Sequence, residues 1–149
     1  ICIRTLYGFD SFFPQPKKDA PVAILGTLSN DMYTIPALMA EVCLRARGYR
    51  TEFLGNDLPA ESYARAIKIY KPVLALVSLS AIYDEILLLE EMMNIEETAV
   101  LEGTALIIGG RAVPEQAPKK LKHSAFVYSM TNFLEQIDDL LKAENLKEA

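Results

Sequence analysis

From Pro21 onward, short apolar runs of strand length alternate with stretches whose apolar residues recur every three or four positions, and five such units can be counted. A strand followed by a helix, repeated, favours a parallel sheet, because a parallel neighbour is reached only by a crossover long enough to hold a helix. The first strand is expected at residues 22–25. Its helix carries Ile35, Leu38, Met39, Val42 and Ala46 and stops at Gly48, with Thr34 as N-cap and Pro36 tolerated in the first turn. The second strand, 50–54, leads to a helix with Tyr63, Ala66, Ile67 and Tyr70 on one face, ended by Lys71-Pro72. The third, 73–79, is almost wholly apolar, as a central strand buried on both faces should be. A helix over about 83–95 is expected to carry Ile86, Leu89 and Met93 on one face, with Leu88 and Met92 beside them. The fourth strand, 104–108, ends in Gly109-Gly110, and a short helix starts near Pro114-Glu115. A fifth strand at 125–128 precedes a helix over about 132–147 that turns Phe133, Ile137, Leu140 and Leu141 inward.

Crossovers between parallel strands are right-handed, and for five units the common solution is a flavodoxin-like (Rossmann-like) α/β fold with sheet order 2-1-3-4-5 and helices on both faces. Ligands in such sheets sit beyond the C-terminal strand ends, beside the point where the winding reverses. That rule gathers three loops, 26–33, 80–83 and 109–113. Residues 1–20, with Ile1, Ile3, Leu6, Tyr7, Phe9, Phe12 and Phe13 ahead of Pro14 and Pro16, read as a lead-in segment and linker before a domain at 21–149. A start at Ile1 rather than Met reads as an excerpt with a neighbouring domain upstream.

Composition narrows the function classes. A net charge of −5 argues against direct nucleic-acid binding by this domain, which would draw on clustered Lys and Arg. No apolar run spans a bilayer and no signal segment is present, so a cytoplasmic protein is expected. Cys2 and Cys43 match no metal-ligand spacing. The one histidine, His123, precedes the fifth strand on the side away from the loops and completes no nucleophilic triad. The Glu90-Glu91 and Glu96-Glu97 pairs read as a solvated helix face. No catalytic residue is nominated.

The first loop supplies Thr27, Ser29, Asn30, Asp31 and Tyr33. Ser29 and Asn30 suit turn chemistry as well as a ligand; Asp31 and Tyr33, directly before the helix, are better placed to face one. Ser78 and Ser80 flank Leu79 and point to one side by strand alternation, or Ser80 already begins the turn; Ser80 also suits a cap of the next helix. Gly109-Gly110 either lets the backbone approach a flat ligand or makes a positive-φ turn.

With these residues in order, the stretch from Pro21 to the C-terminus resembles the cobalamin-binding domain family. That family carries D-x-H-x-x-G after the first strand, S-x-L after the third and G-G after the fourth. Here these read Asp31-Met32-Tyr33-Thr34-Ile35-Pro36, Ser80-Ala81-Ile82 and Gly109-Gly110. The run from Leu44 to Ser62 looks most like the sensor branch, which includes light- or cobalamin-sensing transcription regulators and haem-binding variants. The resemblance implies cofactor contacts from Thr27, Ser29, Asp31, Tyr33, Ser78, Ser80, Ile82, Gly109 and Gly110, with no metal ligand among them. Tyr33 replaces the histidine that ligates cobalt, and Pro36 replaces the motif's glycine. The implied function is a sensory or regulatory module that binds a corrinoid or other tetrapyrrole without axial histidine, or that has lost its ligand. Cobalamin, haem through a Tyr33 phenolate, or no cofactor are the alternatives. The implied partner is an upstream effector domain or a separate protein, with no membrane contact. A corrinoid-carrying methyltransferase or mutase component and a ligand-free interaction domain are the competing readings. A flavin-binding reading lacks a glycine-rich loop, and a phosphoreceiver would need an aspartate where Ser78-Leu79-Ser80 stands.

Overall fold

The computed structural model describes residues 2–148. Helix α1 (Cys2–Gly8) and a 3₁₀ turn (Phe9–Phe12) lead into β1 (Val22–Leu28), α2 (Ile35–Ala46), β2 (Arg50–Leu58), α3 (Ala60–Tyr70), β3 (Leu74–Ser78), α4 (Glu85–Glu102), β4 (Ala105–Gly109), α5 (Ala117–Lys120), β5 (Ser124–Val127) and α6 (Met130–Glu148). The five strands form one sheet of order β2-β1-β3-β4-β5. Every pairing in it is parallel. This is the flavodoxin-like topology expected from the alternation of runs. Ile1, the first apolar residue of the expected lead-in, lies outside the described residues.

Strand alternation splits the core into two layers. Ile24, Ala75, Val77 and Ile108 pack with Tyr63 and Ile67 of α3 and Leu89, Met92 and Ile95 of α4. Ala23, Leu25, Leu74, Leu76 and Ile107 face the other way, onto Leu44 of α2 and Phe133 and Ile137 of α6. The buried Tyr63 hydroxyl donates to the Leu76 carbonyl at 2.6 Å, fastening α3 to the central strand, and its burial pushes the phenol well above its ordinary pKa.

Several elements depart from the periodicity reading. β1 and β2 both run further, because β2 continues through two positive-φ residues, Gly55 at 111° and Asp57 at 55°, that shift register and keep the strands paired to Leu28↔Leu58. α4 extends to Glu102, since nothing between Ile95 and Gly103 breaks a helix; Gly103, at φ 71°, stops it. Its inward row is Leu88, Leu89, Met92, Ile95 and Ala99, while Ile86 is 74% and Met93 46% exposed. Apolar residues ring this helix on most sides, so periodicity alone could not select the face. α2 is likewise rolled: it buries Ala37, Leu38, Ala40, Glu41 and Leu44 and exposes Ile35 and Met39. Glu41 goes inward because Arg45 and Thr51 satisfy its carboxylate at 2.9 and 3.0 Å. Glu96, expected on a solvated face, is buried, accepting from the His123 amide at 2.8 Å and the Ser124 hydroxyl at 2.7 Å. It ties α4 to the start of β5. The short helix falls at Ala117–Lys120, one turn later than Pro114 suggested.

α2 and α6 are joined side by side by Arg47, whose Nε donates to Asp138 at 2.6 Å. The hydrogen bond from Arg47 holds the Asp138 carboxyl below its ordinary value. A carboxyl more acidic in the folded chain than in the unfolded one, where it titrates near ~3.9, adds its full stability above that value. The contribution is lost as the pH falls through the lowered folded pKa. Asp138→Asn is therefore expected to flatten the acid limb of the stability profile below about pH 4.5, where the wild-type contribution is lost. Urea unfolding across that range reads it, and profiles that stay parallel for the two proteins would contradict it.

Candidate functional site

At the C-terminal edge of the sheet a cleft of about 480 Å³ opens between the first turn of α2, the ends of β3 and β4, and the start of α6. Leu76, Val127, Met130, Phe133, Ala40, Ile35 and Pro36 make an apolar body, and Ser78, Ser80, Ser129, Tyr33, Tyr128 and Arg111 give it polar groups. This is the composition of a small-molecule site, mostly apolar with a few polar groups that can orient a ligand.

Five of the nine residues nominated from sequence meet here: Tyr33, Ser78, Ser80, Gly109 and Gly110. Ser78 and Ser80 both line the cleft, Ser78 as the last residue of β3 and Ser80 already in the turn, and neither hydroxyl makes a hydrogen bond among the described residues. Ser80 does not cap α4; Asp84 does, accepting from the amides of Ile86 and Leu87 at 3.0 and 3.1 Å. Tyr33 is 58% exposed at the rim. The Arg111 guanidinium carbon lies 5.8 Å from its ring centroid.

The other four are placed differently. Asp31 is buried, with its carboxylate turned to backbone: Oδ1 accepts from the Tyr33 amide at 3.0 Å and Oδ2 from the Ser80 amide at 2.5 Å. It binds the β1 loop to the β3 loop and does not reach the Tyr33 phenol by any hydrogen bond among the described residues. Thr27, fully buried, donates to the Asp31 carbonyl at 2.5 Å and accepts from the Asp57 amide at 3.1 Å, lacing the β1 loop to the end of β2. Ser29 donates to the Leu58 carbonyl at 3.3 Å. It borders a separate dent of about 30 Å³ beside Glu91, on the α4 side. Burial there lifts the Glu91 carboxyl, and the neighbouring Ser29 hydroxyl opposes the shift. Ile82 is exposed and outside the cleft lining.

The two glycines are explained by the protein's own packing. A Cβ on Gly109 would come within 2.5 Å of Val127 Cγ2, and one on Gly110 would overlap the Leu79 carbonyl oxygen. Gly110 has φ 121°, a conformation that L side chains rarely adopt.

Sequence reasoning missed Arg111 and the whole β5–α6 corner, Val127 to Phe133. The winding-reversal rule gathers the loops after β1, β3 and β4, which contain Arg111 without singling it out, whereas the cleft slides along the α2–α6 face as far as β5. One signal was present: Ser129 three residues before Asn132, the spacing of a helix cap. The Ser129 hydroxyl accepts from the Asn132 amide at 3.1 Å, fixing the α6 N-terminus at the cleft wall.

For a corrinoid, the residues fit in part. The cleft offers an apolar slot with hydroxyls able to receive a side arm, but no histidine stands at the rim, and no group of three His, Cys, Asp or Glu side chains suited to a metal ion occurs among the described residues.

No protein-family model matches the sequence, and no curated protein matches it. Solved structures do share its fold. A cobalamin-binding protein from Desulfitobacterium hafniense superposes with TM-score 0.68 at 20% identity, covering 82% of this chain and 60% of its own. The methanol:cobalamin methyltransferase complex of Methanosarcina barkeri gives 0.70 at 16% identity, covering 94% and 54%. The monomethylamine corrinoid protein of the same organism gives 0.71 at 18%, covering 91% and 65%. The chain thus spans less than two thirds of each neighbour's length. At these identities the likeness defines the class as a flavodoxin-like α/β domain and carries no residue roles. No helix among the described residues is long and apolar enough to cross a membrane.

Proposed function

We propose that the chain is a cobalamin-binding-type sensory or regulatory module. It takes a corrinoid or related tetrapyrrole across its strand ends with one side arm in the cleft, and signals to an effector domain or partner protein. The observation that carries this reading is the cleft itself: Tyr33, Ser78, Ser80, Gly109 and Gly110, one or more from each of three loops, converge on a single slot. In this reading Ser78 and Ser80 would receive the arm, and Tyr33 at the rim would contact the macrocycle. A neutral phenol is a poor cobalt ligand, so binding rests on the slot and the macrocycle's contacts rather than on coordination.

Titration with hydroxocobalamin and, separately, haemin, followed by absorption, tests the proposal. Saturable one-to-one binding of either is expected. Tyr33→His is expected to tighten cobalamin binding by about tenfold and to add the spectral change of a nitrogen ligand on cobalt. No saturation with either compound, in wild type and in Tyr33→His, would sink the reading.

A corrinoid-carrying enzyme component is the second reading, favoured by two of the neighbours, a methanol:cobalamin methyltransferase complex and a monomethylamine corrinoid protein. The absent histidine weighs against it, because axial ligation anchors and tunes the metal. Methyl transfer to and from the reconstituted protein separates the two.

A further inference from the structure

We propose that the cleft selects its ligand by charge: Arg111 at the mouth receives one oxyanion, a carboxylate or a phosphate, carried on an otherwise apolar body. This deepens the reading of the cleft as a tetrapyrrole site by naming what the inserted arm bears.

Among the cleft-lining residues Arg111 is the only charged one. It forms no ion pair among the described residues, although the chain has a net charge of −5. The side chain is positioned rather than free: Nε donates to the Ser80 carbonyl at 3.2 Å and the guanidinium lies against the Tyr33 ring. Those contacts use one edge of the guanidinium and leave the Nη groups, whose planar fork suits an oxyanion. Asp31, whose carboxylate also meets the Ser80 backbone, is buried and committed to the amides of Tyr33 and Ser80.

The helix termini point the same way. α2 and α6 both begin at the cleft, and neither carries an acid in its first turn. α3 and α4, the other long helices, begin elsewhere and carry Glu61 and Glu85 there, while the short α1 and α5 carry no acid. The positive ends of two helix dipoles therefore face the cleft beside one arginine, that of α6 capped only by the neutral Ser129 hydroxyl. With the apolar body below, the site favours an amphipathic anion over a neutral molecule of equal shape.

Paired probes test this without assuming a tetrapyrrole. Anilinonaphthalene sulfonate and uncharged N-phenylnaphthylamine share an apolar body and differ in the anionic group; both report binding by fluorescence. Wild type is expected to prefer the sulfonate. Arg111→Gln should weaken the sulfonate by about tenfold while changing the neutral probe less than about twofold, and Arg111→Lys should restore part of the loss. Displacement by 2-naphthoate and by 2-naphthyl phosphate then tells which oxyanion the arginine prefers. The proposal is overturned if neither probe binds, if Arg111→Gln leaves the preference unchanged, or if neither naphthyl anion displaces the sulfonate. Cobalamin binding without charge preference would remove this proposal and keep the proposed function. Charge preference without tetrapyrrole binding would do the reverse.

Discussion

Gly110→Ala is expected to lower stability by about 4 kcal/mol or more, enough to unfold a marginal domain at ordinary temperature. Two independent penalties combine. The backbone sits at φ 121°, where an L side chain is strained. The new Cβ would also overlap the Leu79 carbonyl oxygen and lie 2.8 Å from its carbon. The obstacle is main chain and it is held: the Leu79 amide donates to the Gly109 carbonyl at 2.7 Å and the Leu79 carbonyl accepts from Ala112 at 3.2 Å. Moving it aside would undo the junction of β3 and β4. Gly109→Ala meets chiefly a Val127 methyl, which can turn away, so a loss of about 1–3 kcal/mol is expected there. Urea unfolding of both variants checks the ordering, and a Gly110→Ala protein within about 1 kcal/mol of wild type would contradict it.

The second large effect is at Asp31. Asp31→Ala removes a buried carboxylate that accepts from the amides of Tyr33 and Ser80, leaving both donors unpaired in a site the side chain had sealed. A loss of about 3 kcal/mol is expected. Asp31→Asn keeps the shape, but its amide nitrogen must face one of two N–H donors, so roughly half the loss should remain. Hydrogen exchange gives a sharper readout than stability: protection of the Tyr33 and Ser80 amides should fall together in either variant, because one carboxylate serves both. Unchanged protection at Ser80 would show that the loops are joined by something else.

The fold was legible because strand-length runs and helical stripes alternate five times, and only parallel topology accommodates that. The helix faces were less so. α4 has apolar residues nearly all round, and α2 buries Glu41 through partners that only the folded chain brings together. The site was legible where a strand runs out toward it, as at Ser78, which ends β3, and Ser80 in the turn beyond, both of which line the cleft. It was not legible at Asp31 and Thr27, whose polar groups hold neighbouring loops through contacts up to 50 residues away in sequence. Arg111 was hidden for a related reason: a surface arginine after two glycines acquires meaning only beside Tyr33, Ser80 and an unopposed helix end.

The two positive-φ residues in β2 have a bearing on how the domain behaves in company. β2 is an edge strand of nine residues, paired only with β1 among the described residues. A flat edge of that length offers a template for strand addition by another chain. Gly55 and Asp57 break the regular ladder at its second half, and Arg50, Glu52 and Asp57 put charge along it. A second strand would have to match two register shifts and desolvate those charges to join. The same irregularity that lets β2 follow β1 to its end thus shields the sheet from polymerising through its longest open edge.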